Sequence, residues 1–104
     1  MEIEIKNVGI NGLNVKAAGR LDLDTAVEYG TTIKNAIEDA NETISELVLD
    51  FREITFISSF GLKIILELYK QMQEQGGLLK LQNVSESIQN SFKMVGFDKF
   101  LVIE

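Results

Sequence analysis

Apolar positions along the chain switch between two periods, and the switches mark its elements. Ile3 and Ile5 precede Asn11-Gly12; Leu13, Val15 and Ala17 follow it, alternating with polar Asn14 and Lys16. Such alternation is the mark of a half-buried strand, and Asn-Gly is the strongest short hairpin signal. Residues 2–19 therefore read as a hairpin turning at Asn11-Gly12. Val8 and Ile10 are out of phase with Ile3 and Ile5, which asks for a bulge or bend near Asn7 to Gly9. Next, Ala26, Gly30, Ile33, Ile37 and Ala40 recur at helical spacing. They predict a helix over about residues 25–40, opened by a capping box from Thr25 to Glu28. Gly30 costs helix propensity there, and close packing against the sheet is the physical reason for it.

Leu47-Val48-Leu49, followed by Asp50 and Phe51, reads as a strand buried on both faces. Ile54 to Ile57 is again extended in character, being β-branched or aromatic throughout. After Ser58-Ser59-Phe60-Gly61 the period becomes helical, through Leu62, Ile65, Leu66, Tyr69 and Met72. A helix of about residues 59–75 follows, with Lys63/Glu67 and Lys70/Glu74 as (i, i+4) pairs on its solvent side. Ile64 and Leu68 lie off the main stripe, and either widen the buried face or form a patch for a partner. Gly76-Gly77 stops this helix, and Leu78–Gln82 is another strand. Asn83 with Glu86 caps a third helix, with Val84 and Ile88 as a staple and Ile88, Phe92 and Val95 turned inward. Gly96 ends it, and Phe100 to Ile103 closes the chain as a last apolar strand or tail. Helices between strands make parallel crossovers, so residues 1–104 read as one α/β domain.

Composition narrows the function. The 104 residues are 45% hydrophobic and 25% charged, an ordinary globular balance. A net charge of −6 argues against nucleic acid and against an anionic membrane as partner. No apolar run reaches the length of a membrane span, and the N-terminus alternates like a strand rather than a signal peptide, so a cytoplasmic protein is expected. Without Cys or His the chain lacks thiol chemistry, the commonest acid–base group and the commonest transition-metal ligand, and no metal site or cofactor is expected. Asp22 and Asp24, where sheet passes into helix, read as capping and solvated loop charge rather than as catalytic carboxylates.

The candidate chemistry is therefore at Ser58 and Ser59, two hydroxyls where extended backbone becomes the first turn of a helix. Serine caps free N–H groups there, and the same groups and the helix dipole favour an anion. Three uses follow: plain capping, a phosphorylation site, or a hydrolase nucleophile. The last is the weakest, because no Gly-x-Ser-x-Gly elbow surrounds either serine and no His serves as base.

Taken in order, Gly19-Arg20-Leu21-Asp22, Leu47-Val48-Leu49-Asp50-Phe51, Phe56-Ile57-Ser58-Ser59-Phe60-Gly61-Leu62 and Gly76-Gly77 through Asn83-Val84 resemble the STAS family, and within it the bacterial anti-sigma factor antagonists. The resemblance covers almost the whole chain. It implies a STAS-like single domain, with a mixed four- to five-stranded sheet and helices packed mainly on one face. It also implies a non-enzymatic module that binds an anti-sigma factor serine kinase and so releases a sigma factor. Phosphorylation at the helix start would switch it off, and a serine phosphatase would restore it. Antagonists of this family usually carry Asp-Ser-Ser-Gly there, the first Ser being the acceptor. Aligned on Gly61 and Leu62, that acceptor falls on Ser59, with Ser58 in the place of Asp and Phe60 in the place of the second Ser. The partner-binding residues so implied are Asp22, Asp24, Ser58, Ser59, Phe60, Gly61 and Ile64. A STAS scaffold that binds its partner without phosphate control is the alternative, which the changed neighbours of Ser59 allow.

Overall fold

The computed structural model describes all 104 residues. The chain runs β1 (Ile3–Val8), β2 (Gly12–Leu21), α1 (Leu23–Asp39), β3 (Glu46–Ile57), α2 (Ser59–Glu74), β4 (Leu78–Gln82), α3 (Glu86–Met94), a 3₁₀ turn (Phe97–Lys99) and β5 (Val102–Ile103). The strands form one sheet in the order β1-β2-β3-β4-β5. β1 is antiparallel to β2, and the other three pairings are parallel. Each parallel step uses a helix as its crossover, as parallel neighbours require.

All three helices lie on one side. Leu13, Val15 and Ala17 of β2, Leu47, Leu49 and Phe51 of β3, and Leu79 and Leu81 of β4 meet Ile33 and Ile37 of α1, Ile65, Leu68 and Met72 of α2, and Ile88 and Phe92 of α3 in one core. The other sheet face has no helix over it. The run Leu47-Val48-Leu49 of β3 is buried on both faces, as expected: Leu47 and Leu49 enter the core, and Val48 is covered on the open face, flanked by its register neighbours Asn14 and Lys80.

Several local expectations are corrected. The hairpin loop is Gly9-Ile10-Asn11, because Val8 pairs with Gly12. Gly9 takes the left-handed turn, at φ +65°, and Asn11 does not. β1 pairs with β2 without a bulge, so Val8 and Ile10 are out of phase because they are exposed. The irregularities sit in the β2–β3 pairing, between Lys16 and Ala18 and between Gly19 and Arg20, and they let β3 run unbroken through Arg52 and Glu53.

α1 starts three residues earlier than its predicted box. Asp22 is the N-cap, and its N–H donates to Thr25 Oγ1 at 2.9 Å. Gly30 serves a helix contact rather than the sheet: a Cβ there would lie 2.8 Å from Ile64 Cγ2 of α2. Leu68 is fully buried and Ile64 half-buried, so both widen the packed face. Glu67 reaches across to Lys34 of α1 at 2.7 Å, and neither intrahelical pair of α2 closes to an ion pair. The α3 cap is Ser85, whose hydroxyl accepts from the Ile88 N–H. Asn83 instead adopts φ 57° and donates from Nδ2 to Asp50 Oδ1 at 3.0 Å. Val95 is exposed, and only Val102 and Ile103 of the closing segment form strand.

Candidate partner-binding site

β2 and β3 end together. Leu21 is paired with Ile57, and the Ser58 N–H donates to the Leu21 carbonyl at 2.9 Å. Each strand then turns straight into a helix, so the starts of α1 and α2 lie side by side at this end of the sheet. Asp22 and Asp24 are thereby brought to the same end as Ser58, Ser59, Phe60 and Gly61. Ile64 stands apart from them, packed into the α1–α2 seam on Gly30.

The two serines have different duties. Ser58 is the N-cap of α2, and its Oγ accepts from the Gly61 N–H at 3.2 Å while its carbonyl accepts from the Leu62 N–H. Ser59 is the first helical residue, exposed, with its hydroxyl in no hydrogen bond within the chain. Gly61 is required by contact: a Cβ there would lie 2.5 Å from Ile57 Cγ1 and 2.9 Å from the Leu21 carbonyl oxygen. It lets α2 sit down on the β2 end. Neither serine hydroxyl has a side-chain partner that would activate it as a nucleophile.

Besides Phe60, three apolar side chains outside the set implied by the resemblance are exposed at this end. Leu23 and Val27 of α1, Phe56 of β3 and Phe60 of α2 are all exposed. Gly30 opposes Ile64 and Lys34 reaches Glu67, so the two helices run parallel. On the sheet face without helices, Arg20 lies over the Phe56 ring at 4.1 Å and approaches Asp22 at 4.0 Å. Leu23 and Val27 could have been found in the sequence as an (i, i+4) apolar pair off the buried stripe of α1.

The chain belongs to the STAS domain family, whose model matches residues 4–104. It is 26% identical over 93 residues to the anti-sigma-B factor antagonist of Bacillus subtilis (strain 168), covering 89% of this chain and 82% of that protein. Its fold is that of the anti-sigma factor antagonist SpoIIAA in its unphosphorylated form, with a TM-score of 0.77 at 16% identity over 99% of this chain and 87% of that one. SpoIIAA of Bacillus has also been solved in the phosphorylated form, which this chain matches at TM-score 0.75 and 17% identity over 99% of this chain and 91% of that one. An anti-sigma factor antagonist from Mycobacterium paratuberculosis superposes at TM-score 0.82, 20% identical over 98% of this chain and 83% of that one.

Proposed function

We propose that the chain is an anti-sigma factor antagonist that binds an anti-sigma factor serine kinase and so frees a sigma factor in the cytoplasm. Phosphorylation of Ser59 ends that binding, and a serine phosphatase restores it. One observation carries the reading: Ser58 is spent on the cap while Ser59, the next residue, offers a free, exposed hydroxyl at a fixed point of the first helical turn. A phosphate there adds about −1.5 to −2 charges, which the helix start tolerates and an apolar contact does not. Leu23, Val27, Phe56 and Phe60 supply the apolar surface such a contact would bury, and Asp22 and Asp24 border it.

Incubation with the cognate kinase and ATP, read by mass spectrometry, tests the acceptor. Phosphate on Ser59 is expected; phosphate on Ser58 alone overturns the assignment. A second reading, a STAS scaffold without phosphate control, is favoured by Phe60, a half-exposed ring directly after Ser59 where the family has a small serine. Tight kinase binding with no phosphate transferred would select it.

A further inference from the structure

By spacing alone, Glu67 is the (i, i+4) partner of Lys63, but in the fold that partner is taken. Glu67 Oε1 accepts instead from Lys34 Nζ of α1 at 2.7 Å. Lys63 is left exposed and in no ion pair. It stands four residues after Ser59 on the same helix, and Ser59 is exposed too, its hydroxyl unbonded within the chain. Side chains at this spacing are neighbours on a helix surface, about 5–6 Å apart at Cβ. An acid four residues ahead of a base is the favourable order, and a base ahead of an acid, as in Lys63 and Glu67, is the poorer one.

We propose, on the reading of Ser59 as the acceptor, that Lys63 is the counter-ion of the phosphate on Ser59 and that Lys34 keeps it available by holding Glu67 away. None of the other charges near the start of α2 can serve. Asp22 and Asp24, at the start of α1, have the wrong sign, and Arg20 lies on the helix-free face over the Phe56 ring. Lys70 is about 16 Å further along α2 at 1.5 Å per residue. Lys34 is therefore a positioning residue, acting on the phosphate only through Glu67 and Lys63. Phosphorylation then changes the surface twice: it adds a dianion, and it withdraws an exposed cation by pairing it.

The test needs no kinase. Phosphoserine is placed at position 59 of the full chain by genetic encoding. Its second ionisation, near about pH 6 when unpaired, is followed by phosphorus NMR at low salt. Lys63→Gln alters an exposed side chain and should melt like the wild type. Its phosphate should titrate about 0.3 pH unit higher, the worth of one exposed helical pair. Lys34→Met releases Glu67 to compete for Lys63 and should give a value between the two. Both differences should shrink at about 1 M salt. Asp22 and Asp24 act on the phosphate alike in every variant and drop out of the comparison. Equal values in the wild type and Lys63→Gln overturn the proposal, as does a difference that high salt leaves undiminished. A Lys34→Met protein that titrates like the wild type overturns the role of Lys34. If the shift is found and the kinase transfers no phosphate to Ser59, the pairing stands and the kinase switch falls.

Discussion

A methyl group at position 61 would meet backbone, the Leu21 carbonyl at 2.9 Å, as well as Ile57. Ala gains about 1 kcal/mol of helix propensity over Gly, but overpacking costs about 1–3 kcal/mol where the obstacle cannot rotate away. Gly61→Ala should therefore lower stability in urea denaturation, and it should weaken kinase binding by shifting Ser58 and Ser59. The opposite holds at Tyr29. Its hydroxyl is buried without a hydrogen-bond partner, and burial, with the Asp50 charge, pushes the phenol far above its usual pKa. Tyr29→Phe removes an unpaired donor that costs about 1–3 kcal/mol, and the variant should melt at or above the wild-type temperature. At Ser59 stability and binding separate. A carboxylate on the first turn is favourable to the helix by about 0.3–1 kcal/mol, so Ser59→Asp should melt near the wild type. Its affinity for the kinase should fall at least about tenfold, since an unpaired charge would enter the contact, while Ser59→Ala keeps binding. Equal affinity of Ser59→Asp and the phosphorylated protein with the wild type would rule out the switch. That the serines lie at a strand-to-helix junction was legible from the change of period. Which serine is the acceptor position was legible only through alignment on Gly61, and the reason for Gly61 was not legible, because the Leu21 carbonyl it accommodates belongs to another strand.

Between α1 and α2 the seam is held by Gly30 against Ile64 and by Lys34 with Glu67. The hydrogen bond from Lys34 holds the Glu67 carboxyl below the usual range, with the charges of Lys34, Lys63 and Lys70 adding to it against a small cost of burial. A carboxyl depressed on folding stabilises above its unfolded pKa, near about 4.3, and that contribution is lost as pH falls through the folded value. Lys34→Met should thus cost a few tenths of a kcal/mol at neutral pH, because the pair is partly exposed, and nothing at about pH 2. In an NMR titration the Glu67 pKa should return toward its ordinary value; an unmoved one would dissociate it from Lys34. Elements of this size were largely readable. Period-2 and period-3.6 stretches located every helix and the four longer strands to within a few residues. Three misreadings have physical causes. Arg52 and Glu53 interrupt the apolar pattern of β3, yet the strand continues because its irregular pairing with β2 absorbs the extra residues. Asn11-Gly12 looks like a two-residue turn, but Gly12 is already paired, with its Cβ position blocked by the Val8 carbonyl. Lys63/Glu67 spacing says nothing about Lys34, which reaches Glu67 from another helix.

At the scale of the whole molecule β2 carries the chain from the hairpin loop to the strand-to-helix junction at Ser58, ten residues spanning some 30 Å at about 3.3 Å per residue. The strand order has a mechanical consequence. Because the chain crosses the sheet without ever returning, β1 and β5 are its two outer edges. Ile3 opposes Ala17 and Ile103 opposes Leu81, so the two ends of the chain emerge at a similar height, separated by four strand spacings. Pulled apart by those ends, the sheet is loaded across its strands. Its hydrogen bonds are then strained one after another, as in a zip, rather than all at once in shear. β5 is held by two register pairs and β1 by six. In an optical trap the fold should yield at low force, β5 peeling first.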